Sequence, residues 1–212
     1  MHRTYVCASL LLALGLAACG TAPSTPLADN TQKGEVDAGT ASEALTVDLT
    51  KLPGLQELKK QSEHFVVIPL KVTFGKIEVH DKKGNLVSTL MPQSTTAGCT
   101  GYSNLSSYVW SPNVYARIGM ECYIQPYGHF RSIMGSITVT PPYGYGNTVT
   151  GYTPEYGTGR GAIISPPVGK APGKTYYWYG NFTGTYEWQE GNYVYTQQVS
   201  AETPPGGTSA TL

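Results

Sequence analysis

Residues 114–124, Val114-Tyr115-Ala116-Arg117-Ile118-Gly119-Met120-Glu121-Cys122-Tyr123-Ile124, decide the fold. Val114, Ala116, Ile118, Met120, Cys122 and Ile124 fall on one side of an extended chain. Tyr115, Arg117, Gly119, Glu121 and Tyr123 fall on the other. Successive side chains of a strand point to opposite faces, so this period of two predicts a strand with one buried and one wet face, as in antiparallel sheets.

The same period recurs on both sides of this stretch. Val66, Ile68, Leu70, Val72 and Phe74 share a face, and Lys76–His80 and Leu86–Leu90 flank the turn-forming run Asp81-Lys82-Lys83-Gly84-Asn85. Ile133, Gly135, Ile137 and Val139 repeat the pattern after a turn near Pro126-Tyr127-Gly128. Thr175–Trp188 and Asn192–Ala201 form a closing hairpin around Gln189-Glu190-Gly191. In its first arm Trp178, Phe182, Tyr186 and Trp188 share a face with Gly180 and Gly184, and small residues beside large rings predict close approach of two layers. One helix is predicted, over Leu52–Gln61 with Thr50 as its cap, from Leu52, Leu55 and Leu58 at spacing three. Seven or eight strands with short turns predict an all-β fold, an antiparallel β-sandwich, with a small β-barrel as the alternative. Residues 141–174, rich in Tyr, Gly and Pro, read as one long loop, with Ala162-Ile163-Ile164 as a possible short strand inside it. Residues 204–212 read as a frayed tail beyond a single domain spanning 47–203.

The chain opens with Arg3, an apolar run from about Val6 to Leu16, and then Leu16-Ala17-Ala18-Cys19. Residues 1–18 have the three parts of a secretory signal and are too short for a permanent span, which needs roughly 20 apolar residues. The stretch resembles the bacterial lipoprotein signal, whose motif is a Leu, two small residues and an obligatory Cys. That resemblance implies cleavage before Cys19, diacylglycerol on its thiol, acylation of the new N-terminus and attachment to a membrane of the cell envelope outside the cytoplasm. Gly20, where Asp would tend to retain a lipoprotein in the inner membrane, leans toward the outer one. Residues 20–45 (GTAPSTPLADNTQKGEVDAGTASEAL) carry no apolar periodicity, so residues 19–46 read as a lipidated Cys and flexible tether.

In that compartment cysteine usage is simple. Cys7 leaves with the leader, Cys19 takes lipid, and Cys99 and Cys122 remain as a pair for which a disulfide is the expected state. Cys122 sits on the apolar side of its strand, so the bridge should be buried.

Lys plus Arg and Asp plus Glu are 14 each, which supplies no basic excess for nucleic acid. Charged residues are only 13% of the chain, about half the usual share. Tyrosine takes part of their place, and all but Tyr5 of the 16 lie between Tyr102 and Tyr195. HExxH, GxSxG, a Walker loop and a dinucleotide fingerprint are absent, so no metal and no cofactor is expected. His64, His80 and His129 do not stand at metal-ligand spacing. Glu187 and Glu190 flank one turn, whereas a glycosidase sets its carboxylates across a cleft of about 5–9 Å.

The aromatic excess is the one positive functional signal, because tyrosine and tryptophan offer broad contact area at low entropic cost. Outward positions by alternation are Tyr115, Tyr123, Tyr177 and Tyr179, joined by Tyr143, Tyr145, Tyr152 and Tyr156 of the long segment. Of these, Tyr115, Tyr123, Tyr177, Tyr179, Tyr152 and Tyr156 are the candidate ligand-binding residues, with envelope glycan, another envelope protein or a small ligand as partner. Tyrosine also simply suits the wet face of strands. Three functional classes follow. The first is a lipid-anchored binding or structural module. The second is an envelope-polymer hydrolase using Glu187 or His129. The third is an inhibitor or immunity-type lipoprotein presenting its long loop.

Overall fold

A computed structural model describes residues 47–91, 98–123 and 127–212. Cys19, the leader, the tether up to residue 46, Ile124 and Pro126 lie outside the described residues. A 3-10 turn (Leu49–Lys51) leads into α1 (Pro53–Gln61), and thirteen strands follow. They are β1 (Ser62–Leu70), β2 (Val72–His80), β3 (Leu86–Leu90), β4 (Cys99–Tyr108), β5 (Asn113–Cys122), β6 (His129–Thr140) and β7 (Val149–Gly151). After these come β8 (Thr153–Gly157), β9 (Arg160–Ile164), β10 (Val168–Gly169), β11 (Thr175–Glu190), β12 (Tyr193–Glu202) and β13 (Thr208–Thr211). One sheet, A, runs β1-β4-β5-β9-β8 with β10 also on β5. The other, B, runs β3-β2-β12-β11-β6-β7 with β13 also on β11. Every pairing is antiparallel, and the two sheets face each other as a sandwich rather than closing into a barrel.

The alternating positions fill the space between the sheets. Val114, Ala116, Ile118, Met120 and Cys122 of β5 meet Trp178, Phe182, Tyr186 and Trp188 of β11 in one buried cluster. Burial of this kind contributes roughly 1.5–3 kcal/mol per large apolar side chain. Of the two glycines expected among the rings, Gly184 is needed there, and so is Gly161, which was not expected. A Cβ on Gly184 would stand 2.6 Å from the Phe130 ring, and one on Gly161 would stand 2.7 Å from that ring and from Ile133. Trp178 Nε1 donates to Ser103 Oγ at 2.9 Å, and Ser103 Oγ donates to the Arg117 carbonyl at 2.8 Å, so the one polar atom of the indole is satisfied.

Several expectations require correction. The run Val66–Phe74 is two strands. The chain leaves sheet A after Leu70 and enters sheet B at Val72, and the inward parity survives because both inner faces share one core. Residues 99–108 (CTGYSNLSSY) form a strand of sheet A as buried as β5, although their Ser, Asn and Gly content shows no apolar alternation. The segment 141–174 is not one loop. It contributes β7 to sheet B, then crosses at Tyr152 to give β8, β9 and β10 to sheet A. The tail is not frayed either. The Pro204-Pro205-Gly206-Gly207 excursion, with both glycines at positive φ (87° and 79°), ends β12. Thr208–Thr211 then continues along the same edge of β11, and Leu212 reaches the core.

The second face of β5 is not wet. Arg117, Gly119 and Glu121 are buried with Tyr102. α1 packs over Tyr102 and Glu121, and Arg117 is held among Glu155, Ser106 and Tyr108. Leu52, Leu55, Leu58 and Tyr102 make a second, smaller core there, bordered by Phe65 and Val67. Thr50 is not the helix cap. Asp48 accepts from the Thr50 backbone N–H at 3.0 Å within the 3-10 turn. The α1 N-terminus is capped from across the sheet, with Gly54 N and Leu55 N donating to the Glu121 carboxylate at 2.7 and 3.2 Å.

Cys99 and Cys122 are directly opposed in the β4–β5 register and joined by a disulfide, buried as expected. Closing a loop of this length limits the unfolded chain by about 3 kcal/mol in the chain-entropy model. Replacing both cysteines by Ala should therefore lower the thermal midpoint by about 6–12 °C for a domain of this size. Calorimetry of the oxidised parent and the double variant checks this, and coincident midpoints would refute it.

Candidate functional site

The outward row of β11 is Thr175, Tyr177, Tyr179, Asn181, Thr183, Thr185 and Glu187. Tyr177 and Tyr179 are 60% and 57% exposed, so both rings present a face to solvent from a rigid central strand. Their lateral neighbours are hydroxyl-bearing. Thr140 lies beside Tyr177, Thr138 beside Tyr179, and Ser209 of β13 beside Tyr177 on the other flank. Many of these hydroxyls are already paired, Thr138 with Thr150 at 2.8 Å, Thr140 with Thr148 at 3.0 Å and Thr175 with Thr211 at 2.9 Å. Next along the row, Asn181 Oδ1 accepts from the Ser136 backbone N–H at 2.8 Å.

Two open depressions share Asn181 and Glu202. One of about 460 Å³ includes Lys71, Thr73, Thr183 and Ser200, and one of about 510 Å³ includes Tyr179, Ser136, Pro204 and Pro205. The result is a flat, hydroxyl-rich face, with Lys71 and Glu202 as the charged groups at its two hollows.

The six candidate tyrosines do not share one surface. Tyr177 and Tyr179 are together on the outer face of sheet B. Tyr115 is half-buried on the outer face of sheet A, edge-on to Tyr108 with ring centroids 5.9 Å apart and with the Arg117 guanidinium 5.9 Å from its own ring. Tyr123 follows β5 at the other end of that sheet, and Tyr152 stands at the crossover between the sheets. Tyr156, on β8, borders a separate hollow of about 400 Å³ with Tyr127, His129 and Phe130. Alternation predicts outwardness along each strand, but two strands in opposite sheets point their outward rows in opposite directions.

Glu187 and His129 do meet. His129 Nε2 is 3.7 Å and Arg131 Nη1 3.1 Å from the Glu187 carboxylate, and Arg131 and Glu187 border an open hollow with His80. Glu190 is three residues further along the same strand end, exposed, rather than across a cleft from Glu187. Among the described residues no group of three or more His, Cys, Asp and Glu is placed to hold a metal ion, and no helix is long and apolar enough to cross a membrane.

Beneath the outer face of sheet A runs an ionic network that the sequence pattern does not reveal. Arg117 donates through Nε to Glu155 at 3.0 Å, through Nη1 to Ser106 at 3.0 Å and through Nη2 to the Tyr108 hydroxyl at 2.9 Å. Arg160 donates to the other Glu155 oxygen at 3.1 Å and to the Gly54 carbonyl at 3.2 Å. Glu155 thus bridges two guanidinium groups, and Arg160 ties them to α1. Tyr108 carries a ring stack with Trp110 (centroids 5.3 Å, planes 15° apart), and Trp110 is the aromatic surface residue missed by strand alternation because it sits in a turn. A Trp beside the turn signal Ser111-Pro112-Asn113 was the available clue.

No known protein family, curated protein or solved structure matches this chain. Fold and surface together define a disulfide-braced antiparallel β-sandwich with a flat tyrosine- and hydroxyl-bearing face on one sheet and a part-buried ionic network on the other.

Three buried phenols carry a pH dependence. Burial pushes Tyr186 up to about 12, against an opposing hydrogen bond with the Gly128 backbone. Burial also raises Tyr102, and it raises Tyr176 against a hydrogen bond from the Ala171 N–H. A phenol whose folded pKa is raised stabilises the fold below its unfolded value of about 10 and loses that contribution as pH climbs past it. Thermal midpoints should therefore fall steadily above about pH 10. In absorbance titration these three phenols should ionise later than the exposed tyrosines. A single tyrosine titration near pH 10 in protein that remains folded would contradict the assignment.

Proposed function

We propose that this chain is a lipid-anchored bacterial cell-envelope protein whose sandwich domain binds envelope glycan on the outer face of sheet B. One observation carries the binding half of this reading: Tyr177 and Tyr179, at consecutive outward positions of β11, expose their rings within a field of threonine, serine and asparagine side chains. Sugars offer an apolar C–H face and a ring of hydroxyls. The first stacks on aromatic rings and the second pairs with short polar side chains. A central strand hydrogen-bonded on both sides positions such rings more rigidly than a loop does. The anchor half rests on Leu16-Ala17-Ala18-Cys19 after its apolar run. Two or more acyl chains make such an anchor stable, where one holds only weakly.

Replacing Tyr177 and Tyr179 together by Ala should weaken retention on purified cell-wall glycan about ten-fold, taking about 0.5–1.5 kcal/mol for each lost ring contact. The circular dichroism spectrum should remain that of the parent, because neither ring enters the core. Unchanged retention by a folded double variant would refute glycan binding through this face.

Cys19→Ser should abolish incorporation of labelled fatty acid in bacterial cells and release the protein from the membrane fraction. Continued labelling of that variant would place the lipid elsewhere or nowhere on this motif.

A further inference from the structure

The turn between β4 and β5 exposes two apolar side chains side by side, Val109 at 70% and Trp110 at 81%. We propose that this hairpin tip is a membrane-contact finger that seats Trp110 in the headgroup boundary of a phospholipid bilayer. Exposure alone is not the argument, since single apolar residues on a surface are ordinary. This pair is held in place from below. The Trp110 ring stacks on Tyr108, Tyr115 packs edge-on against the same ring, and the Tyr108 hydroxyl accepts from the buried Arg117 guanidinium at 2.9 Å. Arg117 is in turn fixed by Glu155 and Ser106. An indole already ordered in water has little rotamer freedom left to lose on docking.

Two features select a lipid surface as the occupant. From Ser103 to Ala116 the chain has no Asp, Glu, Lys, Arg or His, so nothing on the tip opposes entry into the interface, where charge is penalised and Trp and Tyr are favoured. Charge with a basic excess stands just behind it. Ser62 pairs with Tyr108; Glu63 beside it is paired with Lys170, whose backbone N–H donates to the Pro112 carbonyl of the tip, and the exposed Lys59 and Lys60 lie in the last turn of α1. Lys60 also has the exposed Glu57 at 3.6 Å, a contact that solvent screens. Ammonium groups at that level complement anionic headgroups. The residue beside Trp110 at the tip is the apolar, exposed Val109, which suits a hydrocarbon boundary better than the hydroxyl rim of a sugar. The inference does not rest on the lipid at Cys19 or on glycan binding by sheet B.

The protein carries its own reporter. Of three tryptophans, Trp178 and Trp188 are 1% and 4% exposed, so solvent-sensitive emission comes from Trp110. The full chain is mixed with phosphatidylcholine–phosphatidylglycerol vesicles, with and without lipids brominated near the headgroup. The expected result is a shift of Trp emission to shorter wavelength and quenching by the brominated lipid. Both should be lost in Trp110→Ala and diminished in Val109→Asp, while the buried-indole emission stays that of the folded parent. The readout is the environment of Trp110 rather than total binding, so attachment through the apolar N-terminal stretch does not affect it. Trp110 emission unshifted and unquenched in the presence of vesicles overturns the proposal, whether or not the chain is attached. So does shielding of Trp110 from iodide by soluble glycan fragments without quenching by brominated lipid, which would make the tip a sugar platform.

Discussion

The contact between the inner faces of β5 and β11 supports everything else in the domain. β5 supplies a row of aliphatic side chains, β11 a row of rings, and Trp178 joins the two sheets through its hydrogen bond to Ser103. The rings fit because the positions facing Phe130 are glycines, where even a methyl group would intrude. Close packing of this kind leaves little room for a sheet to slide, since a shift of one residue would turn a whole row of side chains outward. The register of β11 is therefore set by its buried row, and the exposure of Tyr177 and Tyr179 follows from it. The candidate binding face is the reverse side of the core.

The outer face of sheet A is organised differently. Arg117 and Glu121 are buried and Arg160 and Glu155 part-buried, and all four are satisfied by one another, by hydroxyl groups or by the N-terminal end of α1. Removing one partner from such a network strands the other, which is costly, so the network selects one position for the helix more than it adds stability. The same guanidinium that holds Glu155 also holds Tyr108. The ionic network and the exposed Trp110 platform are consequently one continuous structure, running from the helix cap at Glu121 to the hairpin tip.

Strand alternation was legible wherever apolar residues marked it. The inward rows of β5, β6 and β11, the single helix and the buried Cys99–Cys122 bridge all follow from pattern and cysteine count. β4 was not legible, because its buried side chains are largely Ser, Asn and Gly, polar or small residues that pattern reading assigns to turns. β9 was marked by Ala162-Ile163-Ile164, but β7, β8, β10, β13 and the tail were hidden for a related reason. Short segments rich in Thr, Gly and Pro become strands only when an existing edge offers them hydrogen bonds, as β11 does for Thr208–Thr211. The candidate tyrosines were correctly expected to point outward at Tyr177 and Tyr179, yet their separation from Tyr115 could not be read, because alternation carries no information about which sheet a strand joins.

By itself the sequence determined the parity of each clearly patterned strand, hence the composition of the inner faces, the all-β class and the identity of the bridged cysteines. These are local properties, fixed by the period of two that an extended L-polypeptide imposes on its side chains. Only the tertiary structure decided which outward faces stay in water. It buried Glu121 against α1 and Arg117 among Glu155, Ser106 and Tyr108, left Tyr177 and Tyr179 open on the opposite sheet, and drew Tyr108, Trp110 and Tyr115 together at one tip. Coverage and convergence depend on partners far away in the chain, Glu121 and Gly54 being 67 residues apart, and no local pattern encodes which distant segment will arrive.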